Sequence, residues 1–145
     1  MNQPIIRFEH VRKAFGGQRV YQDLSLDVYA GEILAIVGGS GTGKSVLLKM
    51  VLGLLTWDAG TIVVDGEDIT GRPEREMPPI RRKVGMVFQN GALFDSLSVF
   101  DNIAYPLRER GNRDHEKLAS RVAEVLEMVG LPGIEKKMPA ELSGG

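Results

Sequence analysis

A glycine-rich stretch at residues 38–45 constrains this chain more than any other feature. Its letters, GGSGTGKS, fit the pattern G-x-x-x-x-G-K-[S/T], in which glycines let backbone N–H groups turn inward around phosphate groups. The unbroken apolar run of residues 33–37 before it is typical of a strand buried on both faces. Residues 46–52 after it are rich in helix formers. Strand, turn and helix together predict a phosphate cradle in an α/β fold.

We call residues 38–45 the phosphate loop and expect it to bind a nucleoside triphosphate. The start of the following helix offers unpaired N–H groups and the positive end of its dipole to an anion. Lys44 is expected to reach the β- and γ-phosphates, and the Ser45 hydroxyl is expected to help hold Mg²⁺. The alternative is a flexible Gly/Ser turn beside a surface lysine, which leaves the flanking pattern unexplained. The predicted ligand-binding residues of the loop are Gly38, Gly39, Ser40, Gly41, Thr42, Gly43, Lys44 and Ser45.

Composition narrows the class of protein. Hydrophobic residues make up 43% and charged residues 26% of the 145 residues, which is ordinary for a soluble globular protein. The net charge of −1 does not indicate a nucleic-acid partner or binding to an anionic membrane. The absence of cysteine excludes disulfides and cysteine-based metal sites. We expect no signal peptide, and no apolar stretch approaches the about 20 residues that a membrane span needs.

Short segments on both sides of the loop have strand patterns. Residues 5–11 and 20–28 partly alternate apolar and polar side chains around a Gly-Gly turn, which predicts a small antiparallel sheet. Residues 61–64 are β-branched and end at an Asp-Gly turn, and residues 84–88 form a further apolar run. The basic residues 81–83 are interpreted as the solvated start of that last strand.

Two residues outside the phosphate loop are candidates for contacting the nucleotide or its metal ion. Phe15, beside the Gly-Gly turn, could stack on an adenine face, although a core phenylalanine in a hairpin fits its position at least as well. Gln89 follows the apolar run of residues 84–88. An amide at the carboxyl end of a buried strand can reach a metal ion or an attacking water. The alternative for Gln89 is an ordinary loop amide.

The second half of the chain predicts two helices. Ser98 and Asp101 resemble a capping box, which opens a helix running towards Tyr105, where Pro106 should disturb it. Residues 113–129 form the clearest helical pattern in the chain, ended by Gly130. The apolar side chains on one face of this helix, which are expected to lie in a core, are Leu118, Val122, Val125, Leu126 and Val129.

Taken together, these residues show that the chain resembles the ATPase subunit of ABC transporters. Phe15, residues 38–45, Gln89 and residues 142–145 stand where that family has its A-loop, Walker A motif, Q-loop and LSGGQ signature. The resemblance implies an α/β P-loop NTPase fold with an N-terminal antiparallel β-subdomain, part of the parallel core sheet and part of the α-helical subdomain, as an incomplete domain. The implied divisions are residues 1–37 for the β-subdomain and phosphate strand, 38–90 for the core up to the Q-loop, and 91–145 for the helical subdomain up to the signature.

The resemblance also implies cofactors and roles. In the family, two ATPase subunits hold two ATP molecules head to tail, with Mg²⁺, and each phosphate loop faces the signature of the partner. Lys44 and Gln89 are then the expected catalytic residues, and Ser45 and Gln89 the expected Mg²⁺ ligands. The residues expected at the γ-phosphate held by the partner subunit are Ser143, Gly144 and Gly145.

Residues 87–109 and Gly39 resemble a subgroup of that family, the Mla-type (Mce-associated) phospholipid-trafficking ATPases. In the family this region contacts the coupling helices of the membrane subunits. The implied function is an ATP-driven motor for phospholipid transport, located at the cytoplasmic face of the cell membrane. The implied partners are a second copy of the ATPase, transmembrane permease subunits and an Mce-domain substrate-binding protein.

Elements that follow the signature in the family are not found: the Walker B strand with its catalytic Glu, the D-loop and the switch His. We therefore expect this chain to be the N-terminal portion of a roughly twofold longer domain, which by itself is poorly soluble or molten. We expect it to bind nucleotide weakly and not to hydrolyse it competently. Three other interpretations stay open: an ABC motor for amino acids or solvent efflux, a soluble ABC protein acting on ribosomes or DNA, and a truncated remnant without catalysis.

Overall fold

The computed structural model describes residues 3–88 and 91–142. The chain divides into two compact units, Met1–Met86 and Val87–Gly145. The phosphate loop lies in the first unit, and the two longest helices of the described residues lie in the second.

The first unit contains the expected antiparallel sheet. The strand order is β2-β1-β3-β4, and every neighbouring pair is antiparallel. Gly16 and Gly17, both with positive φ, make the turn between the first two strands, where glycine has no steric penalty. The strands are β1 (Ile6–Phe15), β2 (Gln18–Val28), β3 (Ala59–Val64) and β4 (Glu67–Asp68).

The core of the first unit lies between this sheet and helix α1 (Lys44–Val51). Cross-strand register places Phe8 opposite Ile62, and both side chains are almost fully buried. Leu47 and Met50, one helical turn apart, supply the helix side of the core. The buried members of the core are Phe8, Val11, Leu47, Met50, Val51, Ile62, Val64, Ile69, Met77 and Ile80.

The prediction of a strand buried on both faces at residues 33–37 is wrong for the part of the chain that the structure describes. Ile33 is 100% exposed and Val37 is 90% exposed, and no ladder pairs this segment with another. Residues 84–88 likewise form no ladder, and Val87 is 94% exposed. An apolar run gives a segment the side chains of a strand, but the strand itself forms only against a neighbour that exchanges hydrogen bonds with it.

The basic residues 81–83 do not start a strand either. Arg81 is the last residue of helix α2 (Pro78–Arg81), and its guanidinium donates to the Glu74 carboxylate. The same guanidinium donates to the carbonyl oxygen of Leu52 at 2.9 Å, just beyond the end of α1. Arg81 therefore satisfies a helix-end carbonyl, a role that a charge pattern along the chain does not indicate.

The second unit packs helix α3 (Val99–Glu109) against helix α4 (His115–Met128). Ser98 caps α3 by accepting from the N–H of Asp101, as the capping pattern predicts. Pro106 does not end this helix at Tyr105, because α3 continues to Glu109. Leu107, beyond the proline, packs on the core of the unit, and this packing offsets the lost N–H donor.

The apolar stripe of α4 lies in that core, with Leu118, Val122 and Leu126 buried. Val129, the C-cap residue, is 63% exposed and does not belong to the stripe. Gly130 has a φ of 71° and ends the helix as predicted. Among the described residues, no helix has the length and apolar character needed to cross a membrane.

Candidate phosphate-binding site

The phosphate loop connects the extended residues 33–37 to the first residue of α1. Gly41 has a φ of 81° and Gly43 a φ of 101°, in the left-handed region that glycine adopts without strain. Gly43 is the N-cap of α1, and no side chain caps this helix. Gly41 and Gly43 therefore let the backbone turn into the start of α1.

Backbone N–H groups of the loop are free to bind a ligand. Among the described residues, no N–H of residues 39–45 donates to a backbone carbonyl, whereas Val46 and Leu47 both donate to the Gly43 carbonyl. Unpaired N–H groups beside the positive end of a helix dipole favour an anion. The backbone of this loop thus has the chemistry of a phosphate site.

Lys44 folds back over the loop that precedes it. Its ammonium nitrogen donates to the carbonyl oxygens of Gly38 at 2.7 Å and Gly39 at 2.6 Å. Thr42 also donates to the Gly39 carbonyl, at 2.9 Å. The positive charge therefore lies inside the loop, within reach of a phosphate group that the free N–H groups bind.

Ser45 lies in the first turn of α1 with an exposed side chain. No cluster of His, Cys, Asp or Glu able to hold a metal ion occurs in residues 3–88 and 91–142. A single hydroxyl fits Mg²⁺ only where substrate phosphates and water supply most of its ligands, which is the usual way that nucleotide-bound Mg²⁺ is held. The residues present are consistent with such a metal.

Tyr21, which the sequence analysis did not identify, touches the loop directly. Its hydroxyl donates to the Gly43 carbonyl at 2.9 Å. A Cβ on Gly43 would lie 2.6 Å from Cγ1 of Val20 and 3.0 Å from the Tyr21 oxygen, so β2 packs against this glycine. Burial raises the pKa of Tyr21 further above neutral pH, where a tyrosine hydroxyl is already a protonated donor. No motif could have revealed this contact, because it joins residues 22 positions apart.

Phe15 lies at the end of β1, on the hairpin whose second strand carries Tyr21. Phe15 is 45% exposed, so the side chain does not lie in the core. The ammonium of Lys13 sits 4.7 Å from the centre of the ring. An exposed ring with a cation over it is a platform on which a flat aromatic group can stack.

Lys13 and Asp58 hold the residues before Phe15 in place. Lys13 is 8% exposed and pairs with the Asp58 carboxylate at 3.5 Å. The other oxygen of that carboxylate accepts from the N–H of Ala14 at 2.7 Å, and the N–H of Asp58 donates to the Arg12 carbonyl at 2.9 Å. Sequence patterns gave no signal for this clamp, which depends on β3 lying beside β1.

The structure thus brings the phosphate loop and the hairpin of Phe15 together through Tyr21. It does not test the remaining predicted site residues. Gln89, Ser143, Gly144 and Gly145 lie outside the described residues.

Comparison with known proteins agrees with this geometry. A family model described as ABC transporter matches residues 21–145. The chain is 45% identical over 140 residues to the "Probable ribonucleotide transport ATP-binding protein mkl" of Mycobacterium leprae. It is 43% identical over 145 residues to the intermembrane phospholipid transport system ATP-binding protein MlaF of Haemophilus influenzae. It is also 42% identical over 144 residues to the methionine import ATP-binding protein MetN of Rhizobium johnstonii.

These alignments cover nearly all of this chain but only part of each relative. They span 97%, 100% and 99% of this chain, and 40%, 55% and 40% of the respective relatives. The chain therefore spans about half the length of the curated relatives that it matches.

Solved structures confirm the expected fold class, an ABC ATPase cassette with an antiparallel β-subdomain and helices. The expected part of the parallel core sheet is not seen among the described residues, where every ladder is antiparallel. The ATP-binding cassette MJ0796, in a dimeric post-hydrolysis state bound to ADP and Pi, matches with a TM-score of 0.84 and 29% identity. That match covers 96% of this chain and 63% of the cassette. A second dimeric structure of the same cassette matches with a TM-score of 0.85 and 30% identity.

Proposed function

The chain belongs to the ABC transporter family, and from this premise we propose that it carries the ATP-binding site of a transporter's motor subunit. The observation that carries the proposal is the phosphate loop. Its N–H groups are free of backbone acceptors, Gly41 and Gly43 are left-handed, and the Lys44 ammonium lies inside the loop at the start of α1. This combination suits a triphosphate better than any neutral ligand.

The proposed binding mode follows from these contacts. The N–H groups of the loop and the start of α1 bind the β- and γ-phosphates, and Lys44 exchanges its two carbonyl partners for phosphate oxygens. Ser45 offers its hydroxyl to Mg²⁺, which when bound would neutralise charge on the phosphates. Phe15 stacks on the adenine.

We place hydrolysis in a dimer of the complete subunit. Two subunits hold ATP head to tail, and Ser143, Gly144 and Gly145 of one copy serve the γ-phosphate bound by the other, while Gln89 reaches the metal ion or the attacking water. ATP closes this dimer because it contacts both halves, and hydrolysis reopens it. Support comes from the similar cassette, which was solved as a dimer with ADP and Pi. The chain taken alone is proposed to bind nucleotide weakly and not to turn it over.

Phospholipid is the proposed cargo of the complete transporter. The MlaF proteins of Haemophilus influenzae and Escherichia coli, at 43% and 45% identity, are named for intermembrane phospholipid transport. The second candidate is a small solute such as methionine, because MetN is 42% identical.

The proposed partners are a second ATPase copy, permease subunits and an Mce-domain protein, with the motor held at the cytoplasmic face of the membrane.

The proposed division of the chain follows the same family pattern. Residues 1–37 form the β-subdomain with the extended segment before the phosphate loop, residues 38–90 the core up to the Q-loop, and residues 91–145 the helical subdomain up to the signature.

Titration of the purified protein with Mg–ATP tests the proposed site. Lys44→Met should raise the Kd at least about tenfold, because the variant loses charge-assisted hydrogen bonds to the phosphates. Lys49→Met is the matched control, since Lys49 is an exposed lysine in the last turn of the same helix. Isothermal calorimetry gives both constants. Equal Kd values for Lys44→Met and the unmodified protein would contradict the proposal.

A further inference from the structure

We infer that Tyr21 is a positioning residue of the phosphate loop, which holds the Gly43–Lys44 peptide in the orientation that binds phosphate. The inference rests on the proposed ATP site. It assigns a role to a side chain of β2 that lies outside the loop and its sequence motif.

The hydrogen bond from Tyr21 acts on a critical peptide group. The Gly43 carbonyl accepts from the Tyr21 hydroxyl at 2.9 Å and from the N–H groups of Val46 at 2.7 Å and Leu47 at 3.1 Å. A peptide unit is planar, and in the trans form its C=O and N–H point in opposite directions. Fixing the Gly43 carbonyl therefore fixes the N–H of Lys44, one of the free donors of the loop.

Close packing leaves this peptide few other orientations. The space where a side chain of Gly43 would stand is taken by Val20 and Tyr21, at 2.6 Å and 3.0 Å from the position of a Cβ. The φ of 101° already excludes most other residues. The peptide is thus held both by β2 and by the first turn of α1.

Tyr21 also links the phosphate loop to Phe15, the residue proposed to stack on the adenine. Its partner across the β1–β2 ladder is Lys13, whose ammonium lies 4.7 Å from the centre of the Phe15 ring. One cross-strand pair therefore connects the phosphate loop, through Tyr21, with the exposed aromatic ring, through Lys13. The ring of Tyr21 packs on the core, so its hydroxyl is the part available for positioning.

The test compares two ligands, Mg–tripolyphosphate and Mg–ATP, by calorimetry on the purified protein. Tyr21→Phe keeps the packed ring and removes only the donor. We expect the Kd of both ligands to rise by the same factor, about 3- to 10-fold, because the lost hydrogen bond loosens the part of the site that both ligands share. Tyr29→Phe is the control, since it removes a hydroxyl that donates to Asp27 at 3.3 Å. It should leave both constants unchanged.

Hydrogen exchange separates positioning from a general loss of stability. Without ligand, the amides of Val46 and Leu47, which donate to the Gly43 carbonyl, should exchange faster in Tyr21→Phe than in the unmodified protein, while those of β1 should not. A lower Tm with unchanged Kd values would overturn the inference, and so would a rise in the Kd of ATP alone. If Lys44→Met weakens binding and Tyr21→Phe does not, only this inference fails. If the unmodified protein binds neither ligand, the proposed function fails with it.

Discussion

Lys13 is a buried ammonium with a specific neighbour on each side. Its side chain pairs with Asp58 and lies over the ring of Phe15. Among the described residues, Lys13 is the one charged residue that is buried. A charge that is withdrawn from water needs compensating partners, which here are a carboxylate and an aromatic face. The arrangement orients Phe15 while leaving 45% of that residue exposed.

The contact between Lys13 and Phe15 leads to a prediction for the part of the site that is proposed to bind the adenine base. Lys13→Met should raise the Kd of Mg–ATP about 2- to 5-fold, the size of a cation–π contact, because the ring loses the charge that orients it. The Kd of Mg–tripolyphosphate should not change, since that ligand has no base. Calorimetry with both ligands checks the result.

Arg12→Met is the control for Lys13→Met, because Arg12 is an exposed cation on the same strand. The prediction is wrong if the two variants bind ATP equally, or if Lys13→Met weakens tripolyphosphate as much as ATP.

For individual residues, the sequence predicts those positions whose backbone conformation depends on neighbouring residues in the chain. The glycines, Lys44 and Ser45 form a contiguous motif, and their local backbone follows from it. Tyr21 and Asp58 act on residues 22 and 44 positions away, so their contacts depend on strand register and order. No local pattern contains that information.

At the scale of elements, the loop before α3 is held by one side chain. The amide nitrogen of Asn102 lies 3.0–3.1 Å from the carbonyl oxygens of Phe94, Leu97 and Ser98, and its two N–H groups are shared among these three acceptors. Its amide oxygen accepts from the N–H of Phe94 at 2.8 Å. These contacts fold residues 94–98 against the first turn of α3 and place Phe94 beside Tyr105, with ring centres 4.9 Å apart.

Asn102→Ala should therefore destabilise the second unit by about 1–3 kcal/mol, since it leaves the Phe94 N–H and the Leu97 carbonyl without their partner. Urea unfolding followed by circular dichroism measures the change. Asn112→Ala is the control, because Asn112 accepts only one such bond, from the N–H of Asp114 at 3.2 Å. Comparable losses in the two variants would show that Asn102 does not hold the loop.

The elements differ in how well a sequence predicts them. The Ser98 cap and the Gly130 helix end are local signals, and both are confirmed. The segments 33–37 and 84–88 have the apolar residues of a strand but form no ladder. Their sequence could not predict this, because a ladder also needs a neighbouring strand that exchanges hydrogen bonds with the segment. Pro106 was misjudged for a related reason: packing of Leu107 on the core outweighs a local breaker.

At the scale of the whole molecule, the exposed apolar segment before the phosphate loop bears on whether the chain associates with other copies. The extended residues 33–37 carry side chains that are 40–100% exposed at Ile33, Leu34, Ile36 and Val37. Leu34 and Ile36 also line a hollow of about 250 Å³ with Leu47 and Val51. Unpaired backbone groups along an apolar segment are a template for pairing with another chain.

We therefore expect the 145-residue chain to self-associate as its concentration rises, through residues 33–37. Ile33→Lys should reduce the association, because a lysine on an unpaired segment opposes pairing and Ile33 is 100% exposed, so the change leaves the core intact. Sedimentation velocity over a range of concentrations measures the effect. Met128→Lys is the control, since Met128 is 75% exposed on α4. A concentration-independent monomer with a sharp, cooperative melt would contradict the prediction, because such a chain would have no unpaired segment available to a second copy.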